Sequence, residues 1–218
     1  DIQVLGNRVA LLDGSTLVAN GINGGGNVNV GGNFQGNGSL LNADKTYIGE
    51  AASISANALT NGDGGTVIVW ADGNTQFYGN ISATGGSLSG NGGFTEVSGK
   101  QHLDYRGLVD LRAQYGEGGS LLLDPKNIEI IAAGSDPILG NSAFIENQTG
   151  TSQIDVNAVI LQLDLSGFVE LQASNDIDVN ADILTIGSVS TQDLTLTAGR
   201  SINIDAVINV SAGLSTSI

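Results

Sequence analysis

The chain contains no cysteine and no methionine, only two prolines, one tryptophan and one histidine. Without cysteine it has neither a disulfide framework nor a thiolate metal site, which suits a protein exported unfolded. Only 13% of its residues are charged, roughly half the share usual in soluble domains. Basic residues are scarcest: seven Lys and Arg stand against 22 Asp and Glu, for a net charge of −15. That balance argues against nucleic acid and anionic membrane surfaces as partners. No apolar run approaches the ~18 residues of a spanning helix, so no membrane insertion is expected. There is no leader peptide and the first residue is Asp1 rather than Met, as expected of an internal piece of something longer.

Asn, Ser, Thr, Gln and 33 glycines take the place of the missing charge, without the three-residue period of collagen. Val, Ile and Leu are abundant, which excludes a disordered chain. Laid against itself, the chain repeats. GGNVNVGGN from Gly25, GGTVIVWAD from Gly64, GGFTEVSGK from Gly92 and GGSLLLDPK from Gly118 superpose. Each follows a shorter relative ending in alanine: Leu17–Ala19, Ile54–Ala56, Ile81–Ala83 and Leu111–Ala113. The alanines lie 37, 27 and 30 residues apart, a unit of about 27–30 with about ten extra residues in the first interval. In the C-terminal third, LQASNDIDVNADI from Leu171 matches LTAGRSINIDAVI from Leu196 at an offset of 25, and IDVNAVI from Ile154 precedes IDVNADI by 23.

Short alternating strands separated by Gly and Asn turns at this period fit three strands per turn of a solenoid. Helical repeats would need a 3.6-residue apolar period, and none is evident. The expected fold is therefore all-β, a right-handed parallel β-helix of about eight coils, roughly 40 Å long at ~4.8 Å per coil. Residues 1–125 form the first coils, with an insertion near 34–50. Residues 126–150, where the pattern lapses, read as an irregular loop or misfit coil, and 151–218 as the last coils. Alternation points Val28 and Val30, Val67 and Val69, Thr95 and Val97, Leu121 and Leu123 inward. It stacks Ile177, Val179 and Ala181 over Ile202, Ile204 and Ala206. Two open solenoid ends predict end-to-end self-association.

The runs GDGGTVIVWADGNTQFYGNISATGG (Gly62–Gly86), GNGGFTEVSGK (Gly90–Lys100) and GGSLLLDPKNIEI (Gly118–Ile130) resemble filamentous-haemagglutinin-like exoproteins of two-partner secretion, the large cyanobacterial kind above all. LTLTAGRSINIDA (Leu194–Ala206) resembles the shaft repeats of the same exoproteins. The Asn-Pro motifs of that family's secretion domain are missing, so the resemblance places this chain just after it. What the resemblance implies is a secreted β-helical fibre at the cell surface, structural or adhesive, exported through an outer-membrane secretion pore.

Right-handed β-helices also host polysaccharide lyases and hydrolases, which makes a carbohydrate-active enzyme the alternative. The only local concentration of suitable groups is Lys100, His102, Asp104 and Arg106, all on one side of an extended segment; a solvated face is the plainer reading. Asn61–Gly65 (NGDGG) and Asp176–Asp178 (DID) look like calcium loops, but lack the EF-hand glutamate and tandem nonapeptides. GNGG and GDGG open strands rather than helices, so no phosphate loop forms. No cofactor, metal site or catalytic residue is therefore expected.

The outward positions of the Gly-Gly strands are more informative. Thr66, Phe94 and Ser120 should share one column, Ile68, Glu96 and Leu122 a second, Trp70, Ser98 and Asp124 a third. Trp70, Phe94 and Ile68, beside Phe77 and Tyr78, would make an apolar wall able to stack on sugar rings of a surface carbohydrate. Alternatively the inserted stretch Phe34–Glu50 covers them, the arrangement a secreted fibre needs to resist aggregation. Cover predicts blue-shifted Trp70 emission that resists aqueous quenchers. Red-shifted, readily quenched emission that responds to oligosaccharide would instead mark an open wall.

Overall fold

The computed structural model describes residues 1–132, 150–188 and 192–212. The chain is a parallel β-solenoid of about seven turns rather than eight. The first turn contains β1 (Ile2–Val4), β2 (Arg8–Leu11) and β3 (Thr16–Val18). The second contains β4 (Asn27–Val30), β5 (Lys45–Ile48) and β6 (Ser53–Ser55). The third contains β7 (Thr66–Ala71), β8 (Asn74–Phe77) and β9 (Asn80–Ser82). The fourth contains β10 (Phe94–Gly99), β11 (His102–Tyr105) and β12 (Leu108–Asp110). The fifth holds β13 (Ser120–Leu123), β14 (Ile128–Ile131), β15 (Ser152–Asp155) and the helix α1 (Val156–Ser166). The sixth is β16 (Phe168–Ala173), β17 (Asp176–Val179) and β18 (Ile183–Ser188). The seventh is β19 (Asp193–Ala198), β20 (Ser201–Ile204) and β21 (Ile208–Ala212).

Three faces result. Face one is an unbroken seven-stranded sheet, β1-β4-β7-β10-β13-β16-β19. Its register pairs Val28 with Val67, Val67 with Thr95, Thr95 with Leu121 and Leu121 with Val169, so every turn places a side chain above its equivalent. The expected inward residues form the core: Val28, Val30, Val67, Val69, Thr95 and Val97 are all fully buried. On face two, Phe77 stacks on Tyr105 inside the core, ring centroids 5.4 Å apart. Thr46 and Thr75 turn inward there too, and each donates its hydroxyl to a face-one carbonyl, Trp70 O and Ser98 O, at 2.7 Å.

The corners explain the polar composition. Each tight turn leaves a backbone N–H without a ladder partner, and a side-chain oxygen from the preceding turn accepts it. Asp13 Oδ1 accepts Ala51 N–H at 3.0 Å, Asn20 accepts Asn57 at 2.7 Å, and Asn57 accepts Thr84 at 2.8 Å. Asp63 accepts Asn91 at 2.7 Å, Asn91 accepts Glu117 at 2.9 Å, and Asp182 accepts Val207 at 2.8 Å. The Gly-Gly pairs sit where successive corners touch: a Cβ on Gly65 would lie 2.0 Å from Gly26 O.

Four features differ from the sequence reading. The fourth corner belongs to Leu111 and not Ala113, because Leu108 pairs with Asn80 and Asp110 with Ser82. The Leu111 N–H donates to Leu165 O, so that corner opens onto α1 and accommodates a larger side chain. Residues 126–150 are not irregular throughout: Ile128–Ile131 is a regular strand, while 133–149 lies outside the described residues. The inserted stretch is shorter than Phe34–Glu50, since Lys45–Ile48 is the regular β5.

The fourth difference is α1. IDVNAVI matches the strand repeat IDVNADI in sequence, but the register pairs Ile154 with Ile130 and Ile130 with Val179, so Ile154 is not the equivalent of Ile177. Asp155 caps the helix by accepting Asn157 N–H at 2.8 Å, and Gly167 ends it at φ 92. Val156, Val159 and Leu163 are buried against the core. In the same turn β15 returns to lie between β11 and β14. Face two therefore divides into β11-β8-β5-β2 and β15-β14-β17-β20, with the Leu103 N–H donating to Ser152 Oγ at 2.9 Å across the join.

If corner side chains carry the stacking, Asn57→Ala loses its bonds to Thr84 N–H and to the Ser82 hydroxyl. The expected cost is about 1–2 kcal/mol, measured as a lower midpoint in urea unfolding. An unchanged midpoint would show that the backbone ladder suffices alone.

Candidate functional site

Among the described residues, face one is the only face whose outward side carries a strap. After β4 the chain leaves the solenoid at Gly31 and returns at Asp44, with a 3-10 turn at Phe34–Gly36. It lies across the outward columns that the register defines. Thr66 pairs with Phe94 and Phe94 with Ser120; Ile68 pairs with Glu96 and Glu96 with Leu122; Trp70 pairs with Ser98. These are the columns expected from alternation.

The strap covers Trp70, which is 3% exposed. The indole N–H donates to Asp72 Oδ1 at 3.0 Å, and Asn42 Nδ2 donates to Gly36 O at 2.8 Å. Gly36, at φ 64, lies flat on the ring, where a Cβ would come within 2.7 Å of the indole. Phe34 meets Phe94 edge to face, centroids 5.8 Å apart. Gln35 takes a left-handed backbone at φ 51, rare for a residue with a side chain. Its N–H donates to Glu96 Oε2 at 3.0 Å, and its carboxamide donates to Gln172 Oε1 at 3.2 Å. One strained residue thus pins the strap over β10 and reaches β16.

Between the strap and the first strands lies a cleft of about 360 Å³. Phe34, Ile68 and Phe94 supply its apolar walls, and Gln3, Asn27, Asn29 and Asn33 its carboxamides. Of the three residues expected to contact a ligand, Ile68 and Phe94 line this cleft and Trp70 does not. Phe77 belongs to the core and not to the outer wall. The carboxamides escaped the sequence reading because they sit on β1 and β4 and on the strap, away from the aromatic strands. Their alternation with inward Val28 and Val30 was the available signal.

Beside the cleft are carboxylates that sequence reasoning placed but did not join. Glu96 has no solvent exposure and its Oε1 has no hydrogen-bond partner. Burial pushes its pKa up to about 7 against the Gln35 N–H and the Ser98 hydroxyl, which favour the charged form. Asp124 rises to about 6, from burial and then from the charge of Glu170. Glu170 pairs with Leu122 in the column of Glu96. Among the described residues no group of three His, Cys, Asp or Glu side chains could hold a metal ion.

The Lys100–Arg106 segment is not a solvated face. His102 and Asp104 are 8% and 4% exposed, while Lys100 remains open. The Asp104 carboxylate is spent structurally, accepting the Tyr78 hydroxyl at 2.6 Å and Arg106 Nε at 2.8 Å. Burial lowers the His102 pKa and outweighs Asp104, which raises it. The calcium-like segments are also structural: Asp63 accepts a corner N–H, Asp178 accepts Asn203 Nδ2 at 2.7 Å, and Asp176 pairs with Arg200. The sequence matches no protein-family model and no curated protein. The site is thus defined by its own geometry.

Because Glu96 and Asp124 hold their protons more tightly when folded, the native state binds more protons than the unfolded state. Stability therefore rises as pH falls, chiefly between about 7, the folded value for Glu96, and 4.5, its ordinary value. For Glu96 the difference is on the order of 3 kcal/mol. Glu96→Gln should raise the melting temperature at pH 8 and flatten its dependence between pH 8 and pH 5. A variant with the same pH profile as the parent would remove Glu96 as the cause.

Proposed function

We propose that this chain is a structural or adhesive β-helical segment of a large secreted bacterial surface fibre. The observation that carries the reading is face one: seven strands paired without interruption, holding a lined cleft outward. A ladder satisfied along its whole length is stiff, and corner side chains bind each turn to the next. Such an object extends and presents. The absence of cysteine and the turn-by-turn contacts suit export as an unfolded chain through an outer-membrane secretion pore, as the resemblance to filamentous-haemagglutinin-like exoproteins implies.

A carbohydrate-active enzyme is the second reading, favoured by Glu96 and Asp124, two neighbouring carboxyl groups with raised pKa values. Against it stands accessibility. Glu96 is sealed beneath the strap and bonded to it, so no glycosidic oxygen reaches it.

The two readings separate in one experiment. Beads coated with the folded chain should adhere to bacterial or polysaccharide surfaces more than beads coated with unfolded chain. Incubation with a panel of neutral and uronate polysaccharides should release neither reducing ends nor unsaturated sugars. Turnover abolished by Glu96→Gln or Asp124→Asn would replace the adhesive reading with the enzymatic one.

A further inference from the structure

We infer that the cleft under Phe34 binds an uncharged, hydroxyl-rich glycan, with Phe34 and Phe94 against the sugar rings and the carboxamides of β1, β4 and the strap on their hydroxyls. The inference deepens the adhesive reading and takes from it that the ligand is met on a surface.

The chemistry of the lining narrows the ligand. No Lys, Arg or His lines the cleft, Asp1 is its one charged side chain, and the whole chain carries −15. Phosphates, sulfated sugars and uronates would find no cationic side chain in the lining and a strongly acidic chain around it. An extended peptide would need a free sheet edge; β1 is the one edge strand at the cleft, while β4, β7 and β10, which form the rest of its floor, are paired on both sides. A purely apolar ligand would strand the carboxamides against hydrocarbon, a cost of a few kcal/mol per group.

A sugar fits both halves. Each pyranose offers an apolar C–H face and an equatorial rim of hydroxyls that donate and accept. Phe34 and Phe94 present a ring edge and a ring face at 5.8 Å, fixed relative to one another. Asn27 donates to Asp1 Oδ1, and Asn29 donates to Gly32 O and Asn33 Oδ1. These bonds orient the amides and leave the Asn27 and Asn29 carbonyl oxygens and the Asn33 amino group for a ligand. The Gln3 carboxamide and the Thr66 hydroxyl have no partner among the described residues. Donors and acceptors of this kind, in a volume within the usual range of ligand sites, match vicinal hydroxyls.

The strap is the second, independent observation. Phe34 is 42% exposed, an open aromatic on a loop, yet its position is not left to chance. The next residue, Gln35, takes a left-handed backbone conformation and donates its N–H to the buried carboxylate of Glu96, which strand alternation turns outward beneath it. Strain of this sort persists where the surroundings enforce it, and here it sets the height of Phe34 above Phe94.

The test uses the full chain labelled with ¹⁵N and three neutral hexasaccharides, cellohexaose, chitohexaose and maltohexaose, with hexagalacturonate as the anionic control. At millimolar concentration at least one neutral probe should shift the side-chain amide resonances of Gln3, Asn27, Asn29 and Asn33, and hexagalacturonate should not. Phe94→Ala, and separately the exposed Phe34→Ala, should weaken binding about tenfold, the worth of one aromatic contact. Both variants are first checked for an unchanged amide spectrum in the strands. Silence of the four amides with all three neutral probes overturns the inference, as do equal shifts with hexagalacturonate or binding indifferent to both phenylalanines. Coated beads that still adhere while these amides stay silent would sink the cleft alone. Amides that respond while beads do not adhere would sink the adhesive reading and leave the cleft.

Discussion

Everything in this molecule follows from the in-register parallel ladder. Each turn lies about 4.8 Å above the last, so any side chain meets its own equivalent at that distance. Like charges so placed repel by roughly 1 kcal/mol even in water, whereas Val stacks on Val and an Asn oxygen reaches the next turn's amide. The low charge content, the buried valine columns and the Asn and Asp corner bonds are one constraint seen in three places. Where charge does occur on a stacked face it has specific partners: burial raises the Glu96 pKa beneath the Gln35 N–H, Asp176 pairs with Arg200 one turn away, and Glu129, stacked on Asp178, accepts Gln153 and Asn180 amides.

That same regularity made most of the fold readable. Val67, Val69 and Val97 could be assigned inward from alternation alone, and the Thr66, Phe94 and Ser120 column from the Gly-Gly alignment, because both depend only on a period of two inside a period of about 27. Reading failed where the period broke. The aliphatic-polar-Ala pattern points to Ala113 as a corner, while the pairing of β12 with β9 selects Leu111, whose N–H meets the helix. The helix itself was hidden by a coincidental match of IDVNAVI to IDVNADI. Asp155, the Val156, Val159 and Leu163 spacing, and Gly167 were its signature, and Leu161 and Leu165 on other sides blurred the apolar stripe.

The candidate site was half legible for a related reason. Ile68 and Phe94 lie on aligned strands and could be placed; the strap follows no repeat, so its path over Trp70 and its hold on Glu96 could not. Insertions in solenoids escape the stacking rule, and for that reason they are free to carry chemistry the regular turns cannot. Here ten or so residues convert an apolar wall into a covered indole, a proton-binding carboxyl and an open cleft.

The fifth turn has a mechanical meaning. Through most of the solenoid, neighbouring turns are joined by three hydrogen-bonded ladders, one per face. At the fifth turn face two passes from one sheet to another through the Ser152 hydroxyl, and face three is spanned by α1. Among the described residues only face one continues as a ladder from the fourth turn to the fifth. A solenoid pulled along its axis shares the load among three ladders where all three faces are strands and between two from the fifth turn to the sixth, but from the fourth turn to the fifth one ladder remains. Axial tension therefore falls hardest on the join between the fourth and fifth turns, and bending there hinges about face one.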